Sequence, residues 1–220
     1  MFIINDAQDK AIFFDSTFLP LIVAIQGKVP TVEKFICYGA RDEKVIAALP
    51  DVIFYDDLIQ NQSAEFNWPQ FGEETPSSLC YTSGTTGNPK GVLYSHRSTL
   101  LHTMAISLPD SLNLSANDVV MPVVPMFHVN AWGVPYAAAM VGSSVVLPGP
   151  NLDGDSLVDL IDNYKVTVAL GVPTIWQGLL AAAKKRGTTL ESMNSNIVGG
   201  AACPPSIIRD FKNNYACDTI

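Results

Sequence analysis

The sequence has little charge: Asp, Glu, Lys and Arg make up only 15% of its 220 residues, and the formal net charge is −8. The one basic cluster is Lys184-Lys185-Arg186, which we interpret as a helix C-terminus. Because binding to nucleic acid requires a surface of Lys and Arg, the composition argues against nucleic acid as the main partner. A hydrophobic content of 48% argues against disorder, and the length allows a sizeable core.

Paired cysteines are also lacking. The four cysteines are far apart in the sequence and none forms a CxxC pair, while His96 and His102 do not have the spacing of metal ligands. We therefore expect buried free thiols in a reducing compartment. The first residues carry Asp6 and Asp9 and no basic stretch, so no signal peptide is expected and the predicted location is cytoplasmic.

Residues 119–152 contain no charged side chain at all. This length would permit a membrane span, but five prolines interrupt it and His128 and Asn130 lie within it. Buried parallel strands, which are continuous apolar runs, and a helix are the better interpretation. We predict no membrane span; peripheral contact with a membrane stays open.

Strand and helix patterns alternate along the chain. Strands are expected over residues 11–15, 34–38, 119–125, 166–170 and 196–198, and helices over residues 131–141 and 174–185, with another capped by Ser95. Alternation of this kind predicts an α/β fold with layered, mainly parallel sheets flanked by helices. We expect two partial α/β subdomains, residues 1–75 and 76–220, within one incomplete N-terminal domain.

The most informative segment is residues 81–92, with the sequence YTSGTTGNPKGV. Its glycines allow backbone N–H groups to converge on an anion, and its hydroxyls and Lys90 can add donors and positive charge. A flexible linker is the alternative on composition alone. The P-loop of nucleotide hydrolases does not fit. It has Gly before its lysine and Ser or Thr after it, whereas here Pro89 precedes Lys90 and Gly91 follows it.

This segment resembles the phosphate loop of the adenylate-forming superfamily, which includes acyl-CoA synthetases, luciferases and peptide-synthetase adenylation domains. Three further segments resemble motifs of its fatty acyl-CoA synthetase branch, in the family's order: residues 125–132 (PMFHVNAW), 171–174 (GVPT) and 198–202 (VGGAA). Together the matches extend over nearly the whole chain.

The resemblance implies adenylation of a carboxylic acid by ATP, with Mg²⁺, followed by transfer of the acyl group to coenzyme A. It implies catalytic roles for His128 and Lys90, and a place near the metal for Thr82. The residues implied in nucleotide binding are Thr82, Ser83, Gly84, Thr85, Thr86, Gly87, Lys90, Gly199, Gly200 and Ala201. Those implied in acid binding are His128, Val129, Asn130, Trp132, Val172 and Pro173.

Each of these residues also has an interpretation in which its role is only structural. His128 could be a core histidine bonded to a backbone carbonyl, and Gly199 to Ala201 could form only a tight turn between strand and helix. Trp132 is a tunnel or gate residue by resemblance and a core residue on general grounds. Met126, Phe127, Val129, Val172 and Pro173 could belong to a tunnel wall or to ordinary core.

The resemblance implies a fatty acid as the substrate. Residues 126–152, which are apolar and uncharged, favour an apolar acid over an amino acid, because an amino acid would need a buried carboxylate near its amine. The rivals are another adenylating enzyme, such as an aryl-CoA ligase or a peptide-synthetase domain, and a non-catalytic nucleotide- or acyl-binding module. The resemblance covers under half of a synthetase, so we expect the isolated chain to be inactive. The family often dimerises, which leaves a homodimer open.

Overall fold

The computed structural model describes residues 1–83 and 87–220, which divide into two compact units. The first unit comprises residues 1–71 and 81–91, and the second comprises residues 72–80 and 92–220. Strands and helices alternate in each, and the strand pairs of the two larger sheets are parallel. The predicted α/β class is therefore confirmed. The predicted boundary between residues 75 and 76 stays a prediction.

The first unit contains a three-stranded parallel sheet in the order β1-β2-β3. Its strands are β1 (Ala11–Asp15), β2 (Lys34–Tyr38) and β3 (Ile53–Phe54), and the first two occupy the predicted ranges. The helices of this unit are α1 (Phe2–Ala7), α2 (Leu19–Ile25), α3 (Glu43–Ala48) and α4 (Tyr55–Ile59). Its small core consists of Phe14, Ile22, Cys37, Val45, Leu49 and Phe54. Cys37 is a buried free thiol, as expected, and burial raises its pKa.

Strands β4 (Pro76–Thr82) and β5 (Lys90–Ser95) lie on either side of the glycine- and threonine-rich segment and form a two-stranded sheet. Helix α5 (His96–Ile106) follows directly. Ser95 caps it as predicted: its hydroxyl accepts a hydrogen bond from the Ser98 N–H, and the Ser98 hydroxyl accepts one from the Ser95 N–H. This reciprocal pair satisfies two backbone donors where the strand gives way to the helix.

The second unit is built on a five-stranded parallel sheet in the order β10-β9-β8-β6-β7. The strands are β6 (Val119–Pro122), β7 (Ser144–Val145), β8 (Val168–Gly171), β9 (Ser195–Val198) and β10 (Asp218–Thr219). The helical segments after α5 are α6 (Val129–Trp132), α7 (Val134–Val141), α8 (Gly154–Tyr164), α9 (Pro173–Arg186) and α10 (Pro205–Tyr215).

The central strands of this sheet, β6, β8 and β9, are buried on both faces, whereas β7 at one edge is exposed. Successive side chains of a strand point to opposite faces, so Val120 and Leu170 enter one apolar cluster while Met121 and Ala169 enter the other. The first cluster includes residues of α7, and the second includes residues of α8, α9 and α10. Helices on both sides explain why these strands read as uninterrupted apolar runs in the sequence.

The helix predicted over residues 131–141 starts later than expected, at Val134. Before it, all four residues of α6 have φ between 50° and 56°, so α6 is a single left-handed turn. This conformation is strained for L-residues, and most of all for the β-branched Val129. The turn runs into Gly133, with φ of 76°, and the right-handed helix α7 begins only after that glycine.

Helix α3 was missed in the sequence, although Asp42 supplied a signal for it. The Asp42 carboxylate accepts a hydrogen bond from the Lys44 N–H and caps the helix, with Glu43 in its first turn. Within residues 1–83 and 87–220, no helix has both the length and the apolar character needed to cross a membrane.

Candidate functional site

Three of the segments predicted to bind ligands follow neighbouring strands of the five-stranded sheet. Residues 123–128 follow β6, Val172 follows β8 and Gly199 follows β9, and β8 lies between the other two strands. Because the strands are parallel, all three segments leave the sheet at the same edge. The carboxyl edge of an open parallel sheet is where α/β proteins bind ligands.

Backbone hydrogen bonds hold these segments in register beyond the ends of the strands. The Val123 N–H donates to the Leu170 carbonyl at 2.8 Å, and the Gly199 N–H donates to the Gly171 carbonyl at 3.3 Å. The sheet hydrogen bonding therefore continues for one residue beyond β6 and β9, towards the predicted segments.

Trp132 and Gly199 are in direct contact at this edge. A Cβ placed on Gly199 would lie 2.6 Å from Cη2 of the indole, a distance that no real side chain tolerates. Gly200 has φ of 78°, and a Cβ there would lie 3.1 Å from Cγ1 of Val172. The structure thus brings together Trp132, Val172 and both glycines. Gly200 and Ala201 are exposed, which leaves this segment an open face.

The same contacts can be compared with the two interpretations of each residue: a tight turn or an adenine site for Gly199 to Ala201, and a core residue or a tunnel residue for Trp132. Gly200 does adopt the left-handed conformation of a tight turn after β9, and its contact with adenine stays a prediction. Trp132 is half-buried and packs against the cluster that contains Val120 and Leu170. It is therefore partly a core residue, and its place beside the acid stays a prediction.

His128 lies on the surface, immediately before the left-handed turn. Its backbone N–H donates to the Pro125 carbonyl at 3.0 Å. Within this chain the imidazole is therefore outside the apolar clusters and open to a ligand. Met126 and Phe127 are 47% and 79% exposed and also lie outside those clusters. Pro173, in contrast, is buried in the first turn of α9.

Asn130 lies in the middle of the left-handed turn, and its amide is bonded to strand β4. Its Nδ2 donates to Oγ of Ser78 at 2.9 Å, and the Cys80 thiol donates to its Oδ1 at 3.3 Å. Sequence reasoning assigned Asn130 to the substrate and missed both partners. A weak signal was present, since asparagine is one of the few residues that adopt the left-handed conformation readily.

A cavity of about 220 Å³ lies between α5, the left-handed turn and α7. It is lined by Tyr94, Ser98, Thr99, His102, Val129, Asn130, Gly133 and Tyr136. Val129 and Asn130 were predicted to bind the acid, whereas the sequence indicated no ligand for His102. Nε2 of His102 lies 3.3 Å from the Trp132 carbonyl oxygen. The spacing of Ser98, Thr99 and His102 on one helix face could have indicated this role.

The glycine- and threonine-rich segment is described only in part, since Gly84, Thr85 and Thr86 lie outside the described residues. Thr82, Ser83, Gly87 and Lys90 are exposed, and Gly87 has φ of 147°. The Thr82 hydroxyl lies 3.5 Å from the Lys90 carbonyl oxygen, at the limit of a hydrogen bond.

Tyr81, which precedes this segment, has a partner that the sequence did not indicate. Its hydroxyl donates to Oδ2 of Asp6 at 2.7 Å. This hydrogen bond, with smaller contributions from burial and from the charges of Asp6 and Asp9, raises the pKa of Tyr81 to about 12. Tyr81 therefore stays a neutral hydrogen-bond donor throughout the physiological pH range.

The described part of the chain contains no group of three or more His, Cys, Asp and Glu side chains that could hold a metal ion. A metal held mainly by substrate phosphates needs fewer protein ligands, and the Thr82 hydroxyl is exposed. The placement of Thr82 near Mg²⁺ therefore stays a prediction.

Comparison with known proteins agrees with this arrangement. The family model described as AMP-binding enzyme matches residues 1–220. The chain is 58% identical over its whole length to a 3-methylmercaptopropionyl-CoA ligase of Ruegeria pomeroyi, and 54% identical over 219 residues to a medium-chain-fatty-acid–CoA ligase of Ectopseudomonas oleovorans. It spans 41% and 40% of the lengths of these relatives.

A solved structure supports the fold independently of these sequence matches. The crystal structure of an anthranilate CoA ligase in complex with anthranoyl-AMP superposes with a TM-score of 0.86 at 24% identity. The superposition covers 99% of this chain and 41% of that one. Since the family model matches every residue and two relatives exceed 50% identity, the chain belongs to the AMP-binding enzyme family.

Proposed function

We propose that this chain carries part of the ATP- and acid-binding region of an AMP-forming acyl-CoA ligase. In the first step, a carboxylate oxygen of the acid attacks the α-phosphorus of ATP, which forms an acyl-adenylate and releases pyrophosphate. In the second step, the thiol of coenzyme A attacks the acyl carbonyl, forms the thioester and releases AMP. The observation that carries the proposal is the meeting of the His128, Val172 and Gly199 segments at one edge of the parallel sheet.

The first step brings two anions together, so positive charge and oriented donors must offset their repulsion. We assign this task to Lys90 and to the N–H groups and hydroxyls of residues 82–87, which would hold the phosphates. His128, exposed just before the left-handed turn, would lie beside the carboxylate and the α-phosphate. Gly199, Gly200 and Ala201 would lie against the adenine, where small side chains let a flat ring approach the backbone.

Mg²⁺ would neutralise the phosphate oxygens when it is bound. The Thr82 hydroxyl can supply one oxygen ligand, and ATP itself supplies others, which is how Mg²⁺ is commonly held in nucleotide sites. This chain's own contribution is then to orient the nucleotide with its backbone donors and to hold the acid near His128.

The acid would bind on the apolar side of the left-handed turn. Val129, Trp132, Val172 and Pro173 are the residues we assign to it. The cavity of about 220 Å³, which Val129 lines, is smaller than the roughly 300–1,000 Å³ of pockets for drug-sized ligands, and we infer from it an acyl group of short or medium length. Two similar relatives are named as a 3-methylmercaptopropionyl-CoA ligase and a medium-chain-fatty-acid–CoA ligase, and these names support the inference.

ATP–pyrophosphate exchange in the full-length ligase that contains these residues tests the proposal. The acids compared are straight-chain acids of increasing length, 3-methylmercaptopropionate, benzoate and a set of amino acids. We expect exchange with short to medium apolar acids, dependence on Mg²⁺, and thioester formation when coenzyme A is added. A preference for benzoate would favour an aryl-CoA ligase, and a preference for amino acids would favour a peptide-synthetase domain.

The 220-residue chain by itself serves as the second arm of the experiment. It spans about two fifths of the relatives, and we propose that turnover requires the remainder. We expect no pyrophosphate release from this chain with ATP, Mg²⁺ and acid. Turnover by this chain alone would contradict that proposal, and absence of exchange from the full-length protein with every acid would favour a non-catalytic binding module. A cytoplasmic location and a homodimer remain proposals.

A further inference from the structure

We propose that Asn130 is a positioning residue: it ties the His128 segment to strand β4, which leads into the phosphate-binding segment. The inference rests on the proposed function and assigns to Asn130 a role other than direct contact with the acid. It comes from the geometry of three half-buried or buried side chains, those of Ser78, Cys80 and Asn130.

Ser78 and Cys80 are two residues apart on β4, so their side chains point to the same face of the strand. One amide group, that of Asn130, reaches both of them, at 2.9 Å and 3.3 Å. Its Oδ1 accepts from the thiol and its Nδ2 donates to the hydroxyl, which leaves one N–H of the amide unused. Most of its hydrogen-bonding capacity is therefore already engaged within the protein.

The two ends of this connection matter for the reaction. On one side, His128 lies two residues before Asn130, at the start of the strained turn. On the other side, β4 continues from Cys80 through Thr82 into the glycine- and threonine-rich segment. The amide of Asn130 fixes the His128 segment to the part of β4 that belongs to the same unit, and small errors in the placement of reacting groups cost large factors in rate.

The turn itself gives a reason for asparagine at this position. Asn130 has φ of 51° and ψ of 48°, a conformation that asparagine tolerates better than most residues. Glycine would tolerate it as well, but it would remove the amide. Asn130→Gly therefore removes the side-chain hydrogen bonds without adding strain to the backbone.

The test compares Asn130→Gly, Ser78→Ala and the double variant in the full-length ligase, by ATP–pyrophosphate exchange with KM measured separately for ATP and for acid. Loss of neutral hydrogen bonds predicts a rise of about three- to tenfold in KM for ATP in each single variant. Because both substitutions break the same connection, we expect the double variant to be no worse than the more affected single one. Asn113→Gly makes the same change at an exposed residue with φ of 49° and is expected to match wild type.

A result in which Asn130→Gly raises only the KM for acid, with Ser78→Ala equal to wild type, would overturn the proposal in favour of direct contact with the acid. A second readout does not depend on activity. In the 220-residue chain, Asn130→Gly should speed hydrogen–deuterium exchange of the amides of residues 78–82, while Asn113→Gly should not. If the full-length protein shows no ATP–pyrophosphate exchange with any acid, the proposed function fails. Hydrogen–deuterium exchange still decides whether Asn130 holds β4, and unchanged protection of residues 78–82 in Asn130→Gly would refute the connection.

Discussion

The indole of Trp132 lies directly against the backbone of Gly199, and a Cβ on that glycine would be 2.6 Å from Cη2 of the ring. The residue predicted to border the acid is thus packed on the segment predicted to border adenine. Neither can change size without affecting the other. This contact joins two motifs that are separated by more than sixty residues in the sequence.

Gly199→Ala is expected to destabilise the second unit and to impair ATP binding, because the new methyl group cannot be accommodated without moving the indole. Overpacking of this kind costs about 1–3 kcal/mol. Urea denaturation measures the loss of stability. Gly27→Ala is the matched control, since a Cβ there meets nothing within 4 Å. Trp132→Leu should relieve the clash without placing a β-branched residue at φ of 56°, so the double variant should recover part of the stability that Gly199→Ala loses. An additive result would argue against the contact.

Lys90→Ala is expected to weaken ATP binding to the full-length ligase by about ten- to a hundredfold, since a charge-assisted hydrogen bond contributes about 1.5–3 kcal/mol. Isothermal titration calorimetry with ATP and Mg²⁺ measures the change. Lys34→Ala removes the same charge from an exposed residue of β2 in the same unit and controls for net charge. Equal affinities for Lys90→Ala and Lys34→Ala would contradict the assignment of the phosphate segment.

Tyr81 should make stability fall at high pH. Its pKa is about 12 in the folded protein, against an ordinary value of 10, mainly because its hydroxyl donates to Asp6. The fold therefore favours the protonated phenol: the resulting stabilisation is complete below pH 10 and is lost as the pH rises from 10 to 12. Urea midpoints measured across this range should decline more steeply for wild type than for Tyr81→Phe.

Ultraviolet titration of the phenols gives an independent reading of the same hydrogen bond. In Asp6→Ala, the tyrosine that titrates near pH 12 should move towards pH 10. Tyr164→Phe, a change at an exposed residue at the end of α8, should leave the titration near pH 12 unchanged. If a tyrosine still titrates near pH 12 in Asp6→Ala, the Asp6 carboxylate is not the cause of the raised pKa.

The left-handed turn should store strain at Val129. Asparagine adopts positive φ more readily than valine, so Val129→Asn removes part of the cost of about 1–2 kcal/mol per residue while losing some apolar burial. Val23→Asn is the matched control: Val23 lies in the right-handed helix α2 and is 39% exposed, against 37% for Val129. We expect Val129→Asn to be the more stable variant by about 1 kcal/mol in urea denaturation. The reverse order would mean that the turn is not strained.

Much of the fold could be predicted because it depends on local patterns. β1 and β2 coincide with the apolar runs at residues 11–15 and 34–38, and the cap at Ser95 depends on a residue only three positions away. The family could also be recognised, since the glycine- and threonine-rich motif of residues 81–92 is continuous in the chain. Helix α3 was missed because it is short and its apolar pattern covers fewer than two turns.

What the sequence by itself determined is therefore the family of the chain and the alternation of strands and helices. Only the tertiary structure decided that Val129 to Trp132 form a left-handed turn, that Asn130 binds Ser78 and Cys80, and that Trp132 lies on Gly199. The physical reason is distance along the chain. A conformation that is locally unfavourable, such as four residues with positive φ, exists only because partners about fifty or more positions away hold it, and no local pattern carries that information.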